Sequence, residues 1–333
     1  MSAPVPHTTS LTLSLRARRA GKGWRADETA AELFGRLAQN PLRLPCLPNG
    51  LHAGEVLEVF GEPGTGKTAV LMGCALQCIM PERFDGVPMG GHGEHAALLD
   101  ADGSFDPLWL GAALHARFLS AVAARGASSS TSPSADAAAR RFASECMDRL
   151  HVVRCADRNQ LLCSLYALPQ LVGGAAPAHA ESGGAGASRQ PRKLRMLIVD
   201  SMSFFQWVER ASARHSQPAA SQFDEQVSVL LRQLLIGQQM CAVWSRCPAT
   251  SHGAGREFPM QSGAPPSWSG LATHRLDLKR AEGAPHAVNA PRLAARLLSF
   301  STSATHQKVA ALHKPRFDLT IRPAGPQWHE VTV

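Results

Sequence analysis

Short apolar runs alternate along this chain with longer stretches in which apolar residues recur every three or four positions. The short runs predict strands, and the longer stretches predict amphipathic helices. The predicted strands span residues 55–60, 95–99, 150–155, 196–199 and 241–244. The predicted helices span residues 27–39, 107–119, 160–171 and 223–238, with a further helix from residue 70 until Pro81 ends it. Residues 196–199 are all apolar, which is typical of a strand in the middle of a parallel sheet. The alternation predicts an α/β fold, with a mostly parallel central sheet and helices on both faces.

The N-terminus and three internal segments lack this periodicity. Residues 125–139, 173–192 and 248–267 are dominated by small residues and Pro, which bury too little apolar area to offset ordering. We expect them to be disordered insertions. Residues 1–26 carry Arg and Lys among Ser and Thr without any acidic residue, which indicates a basic disordered tail or a transit peptide. The predicted organisation is then a helix and linker over residues 27–50 and a core over residues 51–333.

The composition indicates a protein with a packed core and a polyanionic partner. Hydrophobic residues make up 44% of the chain, and the formal net charge is +8 at pH 7. We expect the polyanion to be nucleic acid and predict no membrane partner. No apolar run approaches the roughly 20 residues that a membrane-spanning helix needs. The eight cysteines form no CxxC pair and have no zinc-type spacing with histidine, so no zinc site is predicted.

A phosphate-binding loop stands between the first predicted core strand and the helix that follows it. Its residues are Gly61, Glu62, Pro63, Gly64, Thr65, Gly66, Lys67 and Thr68. The pattern is Gly, four residues, then Gly-Lys-Thr: backbone amides cradle phosphates, Lys67 reaches the β- and γ-phosphates, and the Thr68 hydroxyl ligates Mg²⁺. The order strand, loop, helix also directs a helix N-terminus at the phosphates. The sequence therefore predicts binding of ATP or GTP.

Acidic residues end two of the predicted buried strands. Asp200 follows residues 196–199, where a Walker-B acid would hold Mg²⁺ directly or through water. Asp100 and Asp102 end the strand 95–99, and residues two apart point to the same side, so either could face the nucleotide and polarise a water. The competing interpretation is a polar turn at each position, since Asp is common in turns.

The order of these motifs resembles the RecA-type recombinase family. The resembling stretches are residues 29–33, 54–58, 61–68, 99–102, 161–166 and 197–207. Within the family the chain is most similar to the eukaryotic recombinase paralogues of the short type, which lack an N-terminal DNA-binding domain. Only residues 1–50 precede the core, and the Phe-x-x-Ala polymerisation motif is absent, because Leu37 stands three residues after Phe34.

The resemblance implies a RecA-like P-loop ATPase core that uses ATP and Mg²⁺. It implies an assembly or mediator subunit in homologous-recombination repair of DNA double-strand breaks. The implied partners are other recombinase paralogues, in a hetero-oligomer, and DNA. The implied location is the nucleus, with an organelle as the alternative if residues 1–26 are a transit peptide.

The chain departs from the family pattern where hydrolysis is concerned. Asp102 stands where the family has a catalytic glutamate, and it is shorter by one methylene, about 1.5 Å. A misplacement of about 1 Å costs roughly a hundredfold in rate. The family's glutamine after the next strand is also missing, since residues 244–247 read Trp-Ser-Arg-Cys. We therefore expect nucleotide binding with weak DNA-dependent ATPase activity at most.

Two basic clusters are candidate DNA contacts. They contain Arg189, Arg192 and Lys193 in one case, and Arg275, Lys279 and Arg280, near Trp268, in the other. Arginine and lysine would contact phosphates, and an aromatic side chain beside them could stack on a base. The alternative for each cluster is a solvated charged face. Alternatives to the assembly function are a DNA-stimulated ATPase or, less in keeping with the motifs, a small-molecule P-loop kinase.

Overall fold

The structure is a computed structural model that describes residues 29–125, 133–173, 193–205, 218–248, 267–280, 292–299, 316–322 and 325–331. The helices are α1 (Ala30–Leu37), α2 (Lys67–Ile79), α3 (Pro107–Ala124), α4 (Pro133–Met147), α5 (Arg158–Gly173) and α6 (Pro218–Gly237). The strands before α5 are β1 (Leu42–Leu44), β2 (Leu47–Leu51), β3 (Val56–Gly61), β4 (Arg83–Phe84), β5 (Val87–Pro88), β6 (His95–Asp100) and β7 (Leu150–Arg154). The later strands are β8 (Leu194–Asp200), β9 (Cys241–Arg246), β10 (His274–Arg280), β11 (Arg292–Ser299), β12 (Arg316–Arg322) and β13 (Gly325–Val331).

One sheet organises the fold, in the order β13-β12-β11-β10-β3-β9-β8-β6-β7. In this order, each pair of adjacent strands from β10 through β3, β9, β8 and β6 to β7 is parallel, as predicted for the core. Strands β11 to β13 add three antiparallel strands beside β10. No strand or helix was predicted for residues 292–331. The strand β9 lies between β3 and β8, so the phosphate loop and Asp200 are separated by one strand.

Helices cover both faces of the sheet, which confirms the predicted layer arrangement. Successive residues of a strand point to opposite faces. Met196 and Ile198 pack in a core with α2, α3 and α4, whereas Leu197 and Val199 pack in a second core with α5 and α6. We call these the α2 face and the α5/α6 face. The phosphate loop leads into α2, so nucleotide binding is expected at the edge of the α2 face.

The prediction of a disordered insertion over residues 125–139 is wrong for the second half of that segment. Its second half belongs to α4, which begins at Pro133, so residues 133–139 are helical rather than disordered. Ala139, Phe142, Ala143 and Cys146 recur at helical spacing and are buried. Alanine favours helix, but residues 133–139 contain four alanines and no large apolar side chain, so the apolar face becomes visible only when Phe142 is included. Residues 126–132, 174–192 and 249–266, and the tail 1–26, lie outside the described residues.

Among the described helices, α3 (Pro107–Ala124) is long and apolar enough, by length and composition, to cross a bilayer. Its positions Leu110, Ala113, Leu114 and Phe118 are buried, and Phe118 stacks on Phe142 of α4 at 5.4 Å between ring centroids. An apolar helix packed in this way is also common in the core of a globular domain.

Candidate nucleotide-binding site

The phosphate loop connects the end of β3 to the first residue of α2. Gly64 and Gly66 have φ angles of 73° and 75°, in the left-handed region that glycine adopts without strain. A Cβ on Gly61 would lie 2.6 Å from Thr65 Oγ1 and 2.7 Å from the Leu278 carbonyl oxygen of β10. Two of the motif's glycines are therefore explained by backbone conformation and one by close packing against the neighbouring strand.

Lys67 lies at the base of this loop and is almost fully buried. Its Nζ donates to the carbonyl oxygens of Gly61, at 3.0 Å, and of Glu62, at 2.8 Å. The Thr65 hydroxyl donates to the same Glu62 carbonyl at 2.8 Å. The Lys67 ammonium group is thus held beside the N-terminus of α2. Its charge and the positive end of the helix dipole both lie where phosphates would bind.

Asp200 ends β8 on the α2 face and is 3% exposed. The Ser245 hydroxyl, near the end of β9, donates to its Oδ1. Burial raises the pKa of Asp200, and the charge of Asp102 raises it further. Hydrogen bonds from the hydroxyls of Ser245 and Thr68 lower this pKa, as does the charge of Lys67. The structure therefore brings Lys67, Thr68, Asp102 and Asp200 together, as the sequence motifs require.

The residues at this point fit Mg²⁺. Asp200 Oδ2 is buried without a hydrogen-bond partner within the described part of the chain, and the Thr68 hydroxyl lies beside the same carboxylate. Mg²⁺ binds oxygen ligands and is commonly held by one or two protein groups together with substrate phosphates and waters. The described residues contain no group of three or more His, Cys, Asp or Glu that could hold a metal by itself. A metal here would therefore arrive with the nucleotide.

Asp100 is the last residue of β6, and Asp102 lies in the bend that follows. The Ser104 amide donates to Asp100 Oδ1 at 3.1 Å and to Asp102 Oδ1 at 3.0 Å. Asp100 is buried, and burial followed by the charge of Asp102 raises its pKa, whereas Asp102 is exposed. Both carboxylates therefore accept from a turn amide, and the catalytic role of Asp102 stays a prediction. The charge of Asp102 also acts on Asp200, so Asp102 keeps its predicted position beside the site.

Sequence reasoning missed Ser245 as a site residue. It noted that residues 244–247 lack the family's glutamine, but not that the serine binds the Asp200 carboxylate. The available signal was its place at the carboxyl end of a predicted strand, the edge where ligands bind in open α/β sheets. The position of Ser245 in the sequence does not give the strand order, and it is the strand order that places β9 directly beside β8.

The described lysines of the two predicted DNA-binding clusters lie at different edges of the sheet. Lys193 precedes β8 at the amino edge, is exposed, and donates from Nζ to Gln239 Oε1 at 2.8 Å. Lys279 is also exposed but lies near the carboxyl end of β10. Arg189, Arg192 and the side chain of Arg280 lie outside the described residues. DNA contact stays a prediction for both clusters.

Arg275 belongs to an ion-pair cluster around Glu58 on the α5/α6 face. Arg246 Nε lies 3.1 Å from Glu58 Oε1, and Arg275 Nε lies 3.7 Å from Glu58 Oε2 and 2.8 Å from Asp277 Oδ1. Both guanidinium groups lie over the ring of Phe60, at 5.1 and 3.7 Å from its centroid. Burial raises the pKa of Glu58, and the two arginines lower it. Arg275 thus already has protein partners.

Trp268 does not provide a surface for base stacking. It is 1% exposed, and its ring meets Trp244 edge to face at 5.8 Å. Its Nε1 donates to Asp224 Oδ1 at 3.2 Å. The suggestion that an aromatic side chain beside the second basic cluster stacks on a base is therefore wrong for this residue.

Comparison with known proteins identifies two relatives by name. The DNA repair protein XRCC2 homolog of Arabidopsis thaliana is 25% identical over 308 residues, covering 78% of this chain and 79% of that protein. The mouse (Mus musculus) DNA repair protein XRCC2 is 28% identical over 219 residues, covering 64% of this chain and 65% of that protein. No protein-family model matches the chain. The names agree with a resemblance to the short X-ray repair cross-complementing type of paralogue. Together with the RecA-like order of motifs and the parallel sheet, these similarities support an XRCC2-like paralogue of the RecA-type recombinases.

Proposed function

We propose that the chain is an ATP-binding assembly subunit in homologous-recombination repair of DNA double-strand breaks. The observation that carries the proposal is the convergence of Lys67, Thr68 and Asp200 in a chain whose relatives are named as DNA repair proteins. The binding machinery is therefore complete, while the groups associated with hydrolysis in the family are altered.

The proposed ligand is ATP with Mg²⁺. Lys67 and the loop amides at the N-terminus of α2 bind the phosphates, and Thr68 and Asp200 hold the metal. A Mg²⁺ ion held by these residues would supply charge neutralisation at the phosphates. Ser245 holds Oδ1 of Asp200, which leaves Oδ2 for the metal or for one of its waters.

The proposed partners are other recombinase paralogues, in a hetero-oligomer, and DNA, with the nucleus as the place of action. A net charge of +8 favours association with a polyanion. The two named relatives are DNA repair proteins, which favours DNA as the polyanion.

Assembly is favoured over turnover because of Asp102. Its Oδ1 is bound to the Ser104 amide in the turn, which restrains a side chain that is already short for activating water. A DNA-stimulated ATPase is the second candidate, and the observation in its favour is that the charge of Asp102 acts on Asp200.

A Lys67→Ala variant tests the proposal. Binding of a fluorescent ATP analogue in the presence of Mg²⁺ should be lost in this variant and unchanged in Lys193→Ala, which alters an exposed lysine at the opposite edge of the sheet. Recovery of recombinase paralogues with the co-expressed chain should persist in both variants. Absence of nucleotide binding by the unaltered chain, or hydrolysis at about ten per second, a typical enzyme rate, would refute the proposal.

A further inference from the structure

A groove of about 800 Å³ runs between α5 and α6, on the face of the sheet that is opposite the phosphate-loop helix. From α5 it is lined by Leu162, Cys163 and Tyr166. From α6 it is lined by Gln222, Glu225, Gln226, Val229, Leu230 and Gln233. Its volume is within the range of small-molecule and cofactor pockets, roughly 300–1,000 Å³, so it has room for side chains of a partner.

Apolar side chains are left uncovered in this groove. Tyr166, the single tyrosine of the chain, is 70% exposed, and Leu162, Val229 and Leu230 are only partly buried. Among the described residues, Phe34 and Leu108 are as exposed as Tyr166, Val152 is 39% exposed, and all three lie outside the groove. Tyrosine is enriched at interfaces because its ring is apolar and its hydroxyl can bind a polar group.

The shape of the groove fits a helix. The α6 lining residues from Gln222 to Gln233 form one stripe along the helix, and the eleven steps of 1.5 Å between its ends give it a length of about 16 Å, or three turns. Leu162 and Tyr166 are one turn apart on α5, parallel to that stripe. Helices pack by placing the ridge of one helix in a groove of this kind. An extended segment would need a free strand edge for its backbone, and neither helix offers one.

The charges of the groove define what can occupy it. Among the described residues that line it, Glu225 is the one that carries a charge, the other polar ones are glutamines, and none is Lys or Arg. A nucleic acid would place phosphates beside the like charge of Glu225, which disfavours it as the occupant. A lysine or arginine opposite Glu225 would be complementary, and such a group contributes specificity at an otherwise apolar contact.

We propose that this groove is the docking site for an amphipathic helix of a partner protein. The helix presents apolar side chains to Leu162, Tyr166 and Leu230 and a lysine or arginine to Glu225. The inference rests on the proposed function only for the source of the helix, which we take to be one of the co-assembled paralogues.

Cys163 provides a direct measure of whether the groove is occupied. It is exposed and lines the groove, whereas the other cysteines in the described ranges are buried or half-buried. Alkylation of Cys163 by iodoacetamide, followed by peptide mass spectrometry, should be slowed about tenfold or more in the purified paralogue complex relative to the free full-length chain. Alkylation of the half-buried Cys247 serves as the internal reference.

Variants test the two parts of the contact separately. Tyr166→Ala and Glu225→Lys should each weaken assembly about tenfold or more. The matched control Glu145→Lys makes the same charge change on α4, on the α2 face, and should leave assembly unchanged. A photo-crosslinker placed at position 166 identifies the partner segment, and changing its lysine or arginine to glutamate should restore binding to the Glu225→Lys chain. Unchanged thermal melts show that the variants fold.

A peptide assay separates failure of this inference from failure of the proposed function. A stapled three-turn helix with a leucine face and one lysine should bind the free chain and protect Cys163, and the same peptide with glutamate for lysine should bind more weakly. Glu225→Lys should reverse that preference. If no paralogue complex forms, the proposed function is wrong, and the peptide assay still decides about the groove.

Four results would overturn the inference. They are a complex with unchanged Cys163 reactivity, equal effects of Glu225→Lys and Glu145→Lys, no preference between the two peptides, and protection of Cys163 in the isolated chain. In the last case the groove is covered by the chain itself or, if protection rises with protein concentration, by a second copy.

Discussion

Replacing Arg246 by methionine should destabilise the protein in a way that depends on pH. Arg246 lies beside the buried carboxylate of Glu58, with 3.1 Å between Nε and Oε1, and its side chain is 18% exposed. Methionine keeps the apolar stem but removes the cation. The other charged groups at this cluster are Arg275 and Asp277, which pair with each other at 2.8 Å.

The magnitude follows from the burial of Glu58. Removing one partner of a buried ion pair costs about 3–5 kcal/mol, and we expect about 3 kcal/mol because Arg275 continues to compensate the carboxylate. Burial already raises the pKa of Glu58, and loss of Arg246 raises it further. A raised carboxyl pKa makes ionised Glu58 unfavourable in the folded state, so the penalty is absent below the pKa of the unfolded chain. It grows as pH rises through the folded-state pKa.

Urea unfolding of the full chain, followed by tryptophan fluorescence, measures this effect. The loss of unfolding free energy should be small near about pH 5 and approach its full value near about pH 8. The double variant Arg246→Met/Glu58→Gln, which leaves no uncompensated charge, should recover most of the loss, and Lys279→Met on the exposed part of β10 should show none. A loss of equal size at both pH values, or a double variant as unstable as the single one, would refute the reasoning.

Two further predictions concern the nucleotide site and use fluorescent-nucleotide titration together with urea unfolding. Gly61→Ala should abolish nucleotide binding and lower stability by about 1–3 kcal/mol, because its Cβ would overlap the Leu278 carbonyl oxygen. Gly237→Ala, whose Cβ meets nothing within 4 Å, is the control, and a Gly61→Ala chain that binds like wild type would contradict the packing argument. Ser245→Ala should weaken Mg²⁺-dependent binding about tenfold, since it removes a hydrogen bond to an ionised group, while Ser245→Thr should retain it. Equal binding by both Ser245 variants would show that the hydroxyl does not position Asp200.

The elements of the site that could be predicted are those with local signals. The phosphate loop is recognised because backbone conformation and chemistry fix its residue types over eight positions. Asp200 is recognised because a continuous apolar run marks a buried parallel strand and the acid ends it. Both signals depend only on residues close together in sequence.

What could not be predicted depends on contacts between distant residues. The role of Ser245 requires β9 to lie beside β8, and the pairing of Arg275 with Glu58 requires β10 to lie beside β3. Strand order and register arise from long-range packing, and a list of strands does not contain them. The start of α4 was missed for a different reason, namely that alanines carry helix propensity without the contrast that reveals a buried face.

Consecutive residues of β9 serve opposite faces of the sheet, which bears on how nucleotide binding and assembly are related. Ser245 bonds to Asp200 on the α2 face, and Arg246 pairs with Glu58 on the α5/α6 face. A nucleotide that shifts Asp200 can therefore affect the other face only by moving β8, which carries Asp200, or β9. Each of these strands pairs on both sides, β8 with β6 and β9, and β9 with β3 and β8. All seven residues of β8 and five of the six residues of β9 are buried, so a separate movement of either strand would break contacts on both faces. The proposed groove lies beyond this layer, between α5 and α6. We therefore expect a helix docked there to be held equally well with and without ATP, which is why assembly should survive Lys67→Ala while nucleotide binding does not.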